Sequence, residues 1–190
     1  MYKSVMLIIS LGTLIVTLLT FYGNRVDRGM VEVTQPQTIF LQPANRFGPS
    51  EIIMTALIRS TADRGKAIEH FFVRLCREES IENFTVSRYE DKGGFRPGAF
   101  FVDRQGLSSS FHFSSPGYGA WYDFLPGDYT LQVYAKCAAE KELLVMEVHF
   151  SVTTELFRKM RSRKGRIEFV WSPDSRTYVG HVGARSILVD

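Results

Sequence analysis

The sequence is poor in cysteine, and its two cysteines, Cys76 and Cys137, are 61 positions apart. Because neither belongs to a Cys-x-x-Cys pair, a zinc knuckle and a thioredoxin-like redox motif are excluded. The separation is compatible with a disulfide between two facing sheets, provided that the domain lies outside the cytosol. It is equally compatible with two unpaired, buried thiols. The sequence alone leaves both interpretations open.

Sequence motifs for catalysis and metal binding are also missing. The histidines His70, His112, His149 and His181 stand alone, without a second ligand at the spacing of a metal site. The chain contains no Gly-x-Ser-x-Gly nucleophile elbow and no Walker-type phosphate loop. We therefore expect no metal and no cofactor. An enzyme would require a site assembled from residues that are distant in sequence.

The chain also lacks a strong excess of one charge, since its formal net charge is only +3. This mild value does not by itself imply nucleic acid or an acidic substrate, and export of the domain would disfavour nucleic acid as a partner. Proline and glycine occur as scattered turn signals, which argues against global disorder. The 15 Phe and 8 Tyr residues supply enough apolar material for a core. The sequence therefore indicates a folded domain.

A long apolar segment is present at the amino terminus. Val5 to Phe21 carries no charge, Lys3 precedes it, and Arg25 and Arg28 follow it. Its length is at the short end for a membrane-spanning helix and at the long end for a signal peptide. A small-x-small cleavage site is not evident, which favours an uncleaved anchor. We expect the rest of the chain to lie on the extracytoplasmic side of the membrane.

The clearest pattern in the chain is the strict alternation from Asp128 to Cys137. Tyr129, Leu131, Val133, Ala135 and Cys137 fall on one side of an extended strand, and polar residues fill most of the other side. A second alternating segment follows after a short connection, at residues 144–152. The two segments predict a long antiparallel hairpin.

Further short strands recur at intervals of about ten residues, as is typical of an all-β, two-sheet antiparallel sandwich. The predicted strands cover residues 31–41 (a pair or one interrupted strand), 52–59, 68–76, 84–89, 99–102, 110–113, 121–124, 129–137, 144–152, 167–171 and 176–182.

The alternation breaks between Thr153 and Lys164, where the spacing predicts a short helix. Thr153 or Thr154 would cap it, and Gly165 would end it. We therefore expect four parts: an anchor (residues 1–23), a linker (24–30), a β-sandwich (31–152), and an extension made of a basic helix and a terminal hairpin (153–190).

The phrase from Phe124 to Val133, Phe-Leu-Pro-Gly-Asp-Tyr-Thr-Leu-Gln-Val, resembles one that is common in bacterial immunoglobulin-like and prealbumin-like sandwiches. Physically, it encodes a Pro-Gly turn that leads into an alternating strand. The resemblance covers about ten residues. It implies a sandwich architecture and assigns no functional residue.

Two segments could form a binding surface. In the first, Tyr118, Trp121 and Tyr122 could stack on a sugar or fill a pocket in a partner protein, unless they belong to a core strand. The second would suit an anionic membrane surface or an acidic partner, unless it is simply a solvated helix face. Its basic residues are Arg158, Lys159, Arg161, Arg163, Lys164 and Arg166.

These features lead to one main prediction and two alternatives. The main prediction is a single-pass, membrane-anchored β-sandwich that is a non-catalytic accessory or interaction subunit of a membrane or cell-envelope complex. Its partners would be other membrane or envelope proteins, with the bilayer bound through Val5 to Phe21. The first alternative is a carbohydrate-binding module that uses its exposed aromatic residues. The second alternative is an enzyme whose site cannot be recognised in the sequence.

Overall fold

The computed structural model describes residues 13–17, 29–45, 48–91, 94–96, 98–115, 121–138, 140–163 and 165–183. Residues 13–17 are helical, and the rest of the predicted anchor, Val5 to Phe21, lies outside the described residues. Among the residues described, no helix combines the length and the apolar character needed to cross a bilayer.

Twelve strands and one helix make up the described part of the chain from residue 29 onwards. The strands are β1 (Val31–Val33), β2 (Thr38–Gln42), β3 (Glu51–Ser60), β4 (Lys66–Arg77), β5 (Ser80–Asp91), β6 (Gly94–Arg96), β7 (Phe100–Val102), β8 (Leu107–Ser114), β9 (Gly127–Cys137), β10 (Leu143–Val152), β11 (Arg166–Ser172) and β12 (Thr177–Gly183). The helix, Thr154–Arg163, lies between β10 and β11 and is called the basic helix below.

All pairings among these strands are antiparallel and belong to one sheet, in the order β10-β9-β4-β5-β8-β3-β2-β11-β12. Three short strands pair beside this path, β1 with β3, β6 with β5 and β7 with β4. The sheet curls until β10 and β12 lie close together, and the rings of Phe150 and Phe169 meet at 4.5 Å across the core. The predicted antiparallel β-fold is confirmed, as a sandwich that is nearly a barrel.

The predicted long hairpin is confirmed as β9 and β10. Tyr129 lies opposite Phe150, and Leu131 lies opposite Val148. These four side chains are buried, whereas their neighbours on the other face of the hairpin are more exposed. The alternation therefore places one face of the hairpin in the core and the other towards solvent.

The terminal hairpin is an integral part of the sheet and not an appendage. Residues 38–41 of β2 pair with residues 167–170 of β11, which in turn pairs with β12. Ile167 and Phe169 are fully buried. Strands from both sides of residue 152 therefore belong to the same sheet.

The two cysteines lie far apart. Cys76 is opposite Thr130 of β9, whereas Cys137 is seven residues further along β9, opposite Ile68. At about 3.3 Å per residue, their Cα atoms are about 23 Å apart, whereas a disulfide requires less than about 7 Å. Both are free thiols, so the structure agrees with the unpaired interpretation and not with a disulfide within one chain. Burial raises the pKa of the Cys137 thiol, which favours its neutral form.

The ends of the strands define two ends of the domain. At the proximal end, the chain enters the domain through Met30, whose backbone N–H and carbonyl are hydrogen-bonded to Thr61, just after β3. The distal end lies at the opposite end of β3, where Glu51 pairs with Ser114 of β8. Because β3 is ten residues long, the two ends are separated by about 30 Å.

Candidate functional site

Residues 121–126, called the crossing segment below, run over the distal end of the sheet. Sequence alternation predicts a strand at residues 121–124, but these residues form no ladder, so that prediction is wrong. Phe124 is fully buried, and its ring stacks on that of Phe84 at 6.2 Å. Tyr122 packs edge-on against both rings, at 5.5 Å from Phe84 and 5.2 Å from Phe124. The segment therefore closes the distal end of the core.

Buried Ser50 holds the crossing segment in place. Its hydroxyl donates to Tyr122 O at 2.8 Å and accepts hydrogen bonds from the backbone N–H groups of Tyr122, at 3.1 Å, and Ala44, at 3.2 Å. At the other end of the segment, the Tyr129 hydroxyl donates to Leu125 O at 2.7 Å. Burial raises the pKa of Tyr129, so this phenol remains a donor. No motif or spacing in the sequence points to this role of Ser50.

Trp121 points away from the core and is 70% exposed. Leu125, at the other end of the crossing segment, is 38% exposed. Of the three aromatic residues predicted to bind, Trp121 is therefore available and Tyr122 is partly committed to packing, while Tyr118 lies outside the described residues. The core interpretation therefore accounts for Phe124 and in part for Tyr122, whereas Trp121 is left exposed.

The basic helix packs along one side of β12. Thr153 caps its amino terminus, since the Leu156 N–H donates to Thr153 Oγ1 at 3.2 Å. Met160 is buried against the core. Gly180 of β12 allows the close approach, because a Cβ there would lie 2.6 Å from Leu156 Cδ1. The predicted helix and its cap at Thr153 are confirmed.

The outer face of this helix carries positive charge. Arg158 is exposed, and Lys159 forms an ion pair with Glu155 at 2.6 Å, which lowers the pKa of the glutamate. Arg161 lies over the Phe157 ring at 5.5 Å. The cationic face is therefore partly neutralised within the helix, and Arg158 and Arg161 are the main exposed cations among its described side chains.

Arg161 also joins the helix to the crossing segment. Its guanidinium lies 3.8 Å from the carboxylate of Asp123, two residues after Trp121. The structure thus brings the two segments predicted to bind partners into one area. We call this area the distal surface. Its residues are Trp121, Asp123, Leu125, Phe157, Arg158 and Arg161.

The remaining predicted basic residues do not extend this surface in the described structure. The guanidinium of Arg166 lies over the Phe40 ring at 4.0 Å and is half-buried in the sheet. The side chain of Arg163 and the whole of Lys164 lie outside the description. Nothing in the sequence points to Leu125 as part of this surface, because its contribution depends on how the helix meets the crossing segment.

Titratable groups elsewhere are engaged in local contacts. Burial acts to raise the pKa of the Glu51 carboxyl, but contact with His112 and the charge of Arg88 together lower it. Ser114 donates to the same carboxylate at 3.4 Å. Within the described ranges, no cluster of His, Cys, Asp or Glu could hold a metal ion. The Glu51 carboxylate therefore lies among polar side chains of β5 and β8, namely Arg88, His112 and Ser114.

A cleft of about 750 Å³ lies between β10, β12 and the basic helix. Its polar side chains are paired across the β9–β10 hairpin, Thr130 with His149 at 3.0 Å and Ser151 with Asp128 at 2.5 Å. Such cross-strand pairs stabilise a hairpin. The pairing of these polar side chains is therefore explained by the structure of the hairpin.

Comparison of the chain with protein-family models, with curated proteins and with solved structures found no match.

Proposed function

We propose that this chain is a membrane-tethered, non-catalytic interaction module that binds another membrane or envelope protein through the distal surface. The observation that carries the proposal is the contact between Arg161 and Asp123, which joins exposed Trp121 to a cationic helix. Tryptophan and arginine are the residues most enriched at binding hot spots. A face with both residue types suits an acidic protein surface that also offers an apolar pocket.

The placement of this surface supports the proposal. The chain enters the domain at the proximal end, about 30 Å from the crossing segment by the length of β3. An amino-terminal anchor would therefore hold the proximal end near the bilayer and present the distal surface away from it. In that position, a soluble domain of a neighbouring subunit is a better partner than the anchor's own bilayer. We place the domain on the extracytoplasmic side.

The tether itself is tested by extraction of membranes with alkaline carbonate. We expect the full chain to remain in the membrane pellet, because Val5 to Phe21 is uncharged and long enough to span a bilayer when helical. A variant with Leu14→Arg and Leu18→Arg should move to the soluble fraction. Release of the unmodified chain would contradict the tether, whatever the distal surface binds.

The distal surface is tested by capture of partners in mild detergent. We expect Trp121→Ala to weaken a captured complex about thirtyfold, since a tryptophan hot spot contributes about 2 kcal/mol. The double substitution Arg158→Ala and Arg161→Ala should also weaken the captured complex, and the loss of affinity should be larger at low salt than at high salt. Phe101→Ala, which removes another exposed aromatic ring at the proximal end, is the matched control and should have no effect.

Carbohydrate binding is a second candidate, favoured by the exposed ring of Trp121. The two candidates differ in their dependence on charge. Binding of a neutral glycan should be lost with Trp121→Ala and retained with the two arginine substitutions, whereas an acidic protein partner should be sensitive to both changes. Glycan binding unaffected by Trp121→Ala would remove this candidate.

A further inference from the structure

Large apolar side chains are exposed at the proximal end of the domain. Met30 is 68% exposed, Leu143 46%, Leu144 49% and Phe101 60%. Scattered single residues of this kind are ordinary on a protein surface, but a contiguous group indicates a contact. The question is therefore whether these four residues form one area and what covers it.

The arrangement of the strands makes them neighbours. Met30 and Leu143 line one cleft of about 570 Å³, and Met30 and Leu144 line a second of about 350 Å³. The first cleft also includes Ala138, whose N–H bonds to Ala67 O, and Ala67 is directly opposite Phe101. Met30, Leu143 and Leu144 thus lie around the point where the chain enters the domain, together with the ion pairs Lys66–Glu140 and Arg59–Glu32, and Phe101 lies beside them. We call this area the proximal rim.

The length of chain before this point indicates the occupant. Eight residues separate Phe21, the last residue of the apolar segment, from Met30. Even when fully extended, this linker reaches only about 30 Å, so a bilayer holding the segment lies within reach of the rim. Lys141 and Glu142 are both exposed beside the rim, while Lys66 is paired with Glu140 and Arg59 with Glu32, each at 2.7 Å. A mixture of apolar side chains and lysine is typical of a surface at the bilayer interface.

We infer that the proximal rim rests in the headgroup region of the bilayer that holds the anchor. This inference rests on the proposed tether and adds an orientation to it. The protein then contacts the membrane at two points, the anchor and the proximal rim, instead of through the anchor alone. Because β3 runs from one end to the other, the distal surface then faces away from the lipid.

The orientation can be measured by tryptophan quenching in nanodiscs that contain brominated lipid. The full chain has two tryptophans, Trp121 at the distal end and Trp171 in the sheet. A rim probe combines Leu144→Trp with Trp121→Phe and Trp171→Phe. A distal probe carries Trp171→Phe alone and keeps Trp121. Leu143→Trp in place of Leu144→Trp gives a second rim probe if the first variant does not fold.

We expect brominated lipid to cause a loss of emission from the rim probe and no loss from the distal probe. Equal quenching of both probes would show a freely tumbling domain and would overturn the inference. No quenching of either rim probe, as when a second copy covers the rim, would also overturn it. Flotation of the same samples separates the two proposals. Protein that fails to float with the lipid contradicts the tether, whereas floating protein with an unquenched rim contradicts the orientation alone.

Discussion

Replacing Phe124 with alanine is expected to lower the free energy of unfolding by about 3–5 kcal/mol. The ring is fully buried at the distal end of the core, between Phe84 and Tyr122. Its loss leaves a cavity that only the crossing segment could fill, and Ser50 holds the backbone of that segment at Tyr122. Collapse into the cavity is therefore limited, which supports a cost within the usual range for a buried aromatic residue.

Urea denaturation of the full chain in detergent, followed by circular dichroism, would measure this loss. Trp121→Ala is the matched control, since it removes a larger ring three residues earlier in the same segment. Because Trp121 is 70% exposed, we expect a change within about 0.5 kcal/mol. Equal destabilisation by the two substitutions would contradict the assignment of Phe124 to the core and of Trp121 to the distal surface.

The sequence predicts the long hairpin because its alternation is a local property. From Tyr129 to Cys137, every second residue must face the core, and one partner strand follows after a short connection. The period-two pattern and the turn therefore contain the information needed for both strand and register. The same holds for the basic helix, whose cap and buried Met160 depend on residues within one or two turns.

The crossing segment could not be predicted in the same way. Trp121, Tyr122, Asp123 and Phe124 alternate in burial, as residues of a strand would, and only the absence of a neighbouring strand distinguishes the two cases. That absence depends on where the curled sheet ends. The contact between Arg161 and Asp123 is non-local for the same reason, since it forms only after the helix and the segment meet at one end of the sheet.

The cysteines illustrate a third limit. A separation of 61 residues in sequence is compatible with adjacent strands, and Cys76 and Cys137 do lie on adjacent strands, β4 and β9. Register within that pair decides whether their sulfur atoms can meet. Cys76 lies near the distal end and Cys137 near the proximal end, which no count of intervening residues could have revealed.

Ser50→Ala is expected to lower the free energy of unfolding by about 2–4 kcal/mol, although it removes a single oxygen atom. That oxygen bonds to the N–H and the carbonyl of Tyr122 and to the N–H of Ala44. Alanine leaves these groups partly buried without their partner, and the methyl group offers nothing in return. Ser108→Ala, at an exposed position of β8, is the control and should change the stability by less than about 0.5 kcal/mol.

The same substitution separates the role of the crossing segment in stability from its role in binding. Ser50 is fully buried and cannot touch a partner, yet it fixes the backbone next to Trp121. We therefore expect Ser50→Ala to accelerate hydrogen exchange of the Tyr122 amide and to weaken partner capture.

Leu41→Ala, with an expected loss of about 2–5 kcal/mol at a buried site in β2, should leave capture intact wherever the protein remains folded. If Leu41→Ala weakens capture as much as Ser50→Ala does, general destabilisation explains the effect. If only Ser50→Ala weakens capture, the partner recognises Trp121 in the position that Ser50 maintains through the backbone of Tyr122.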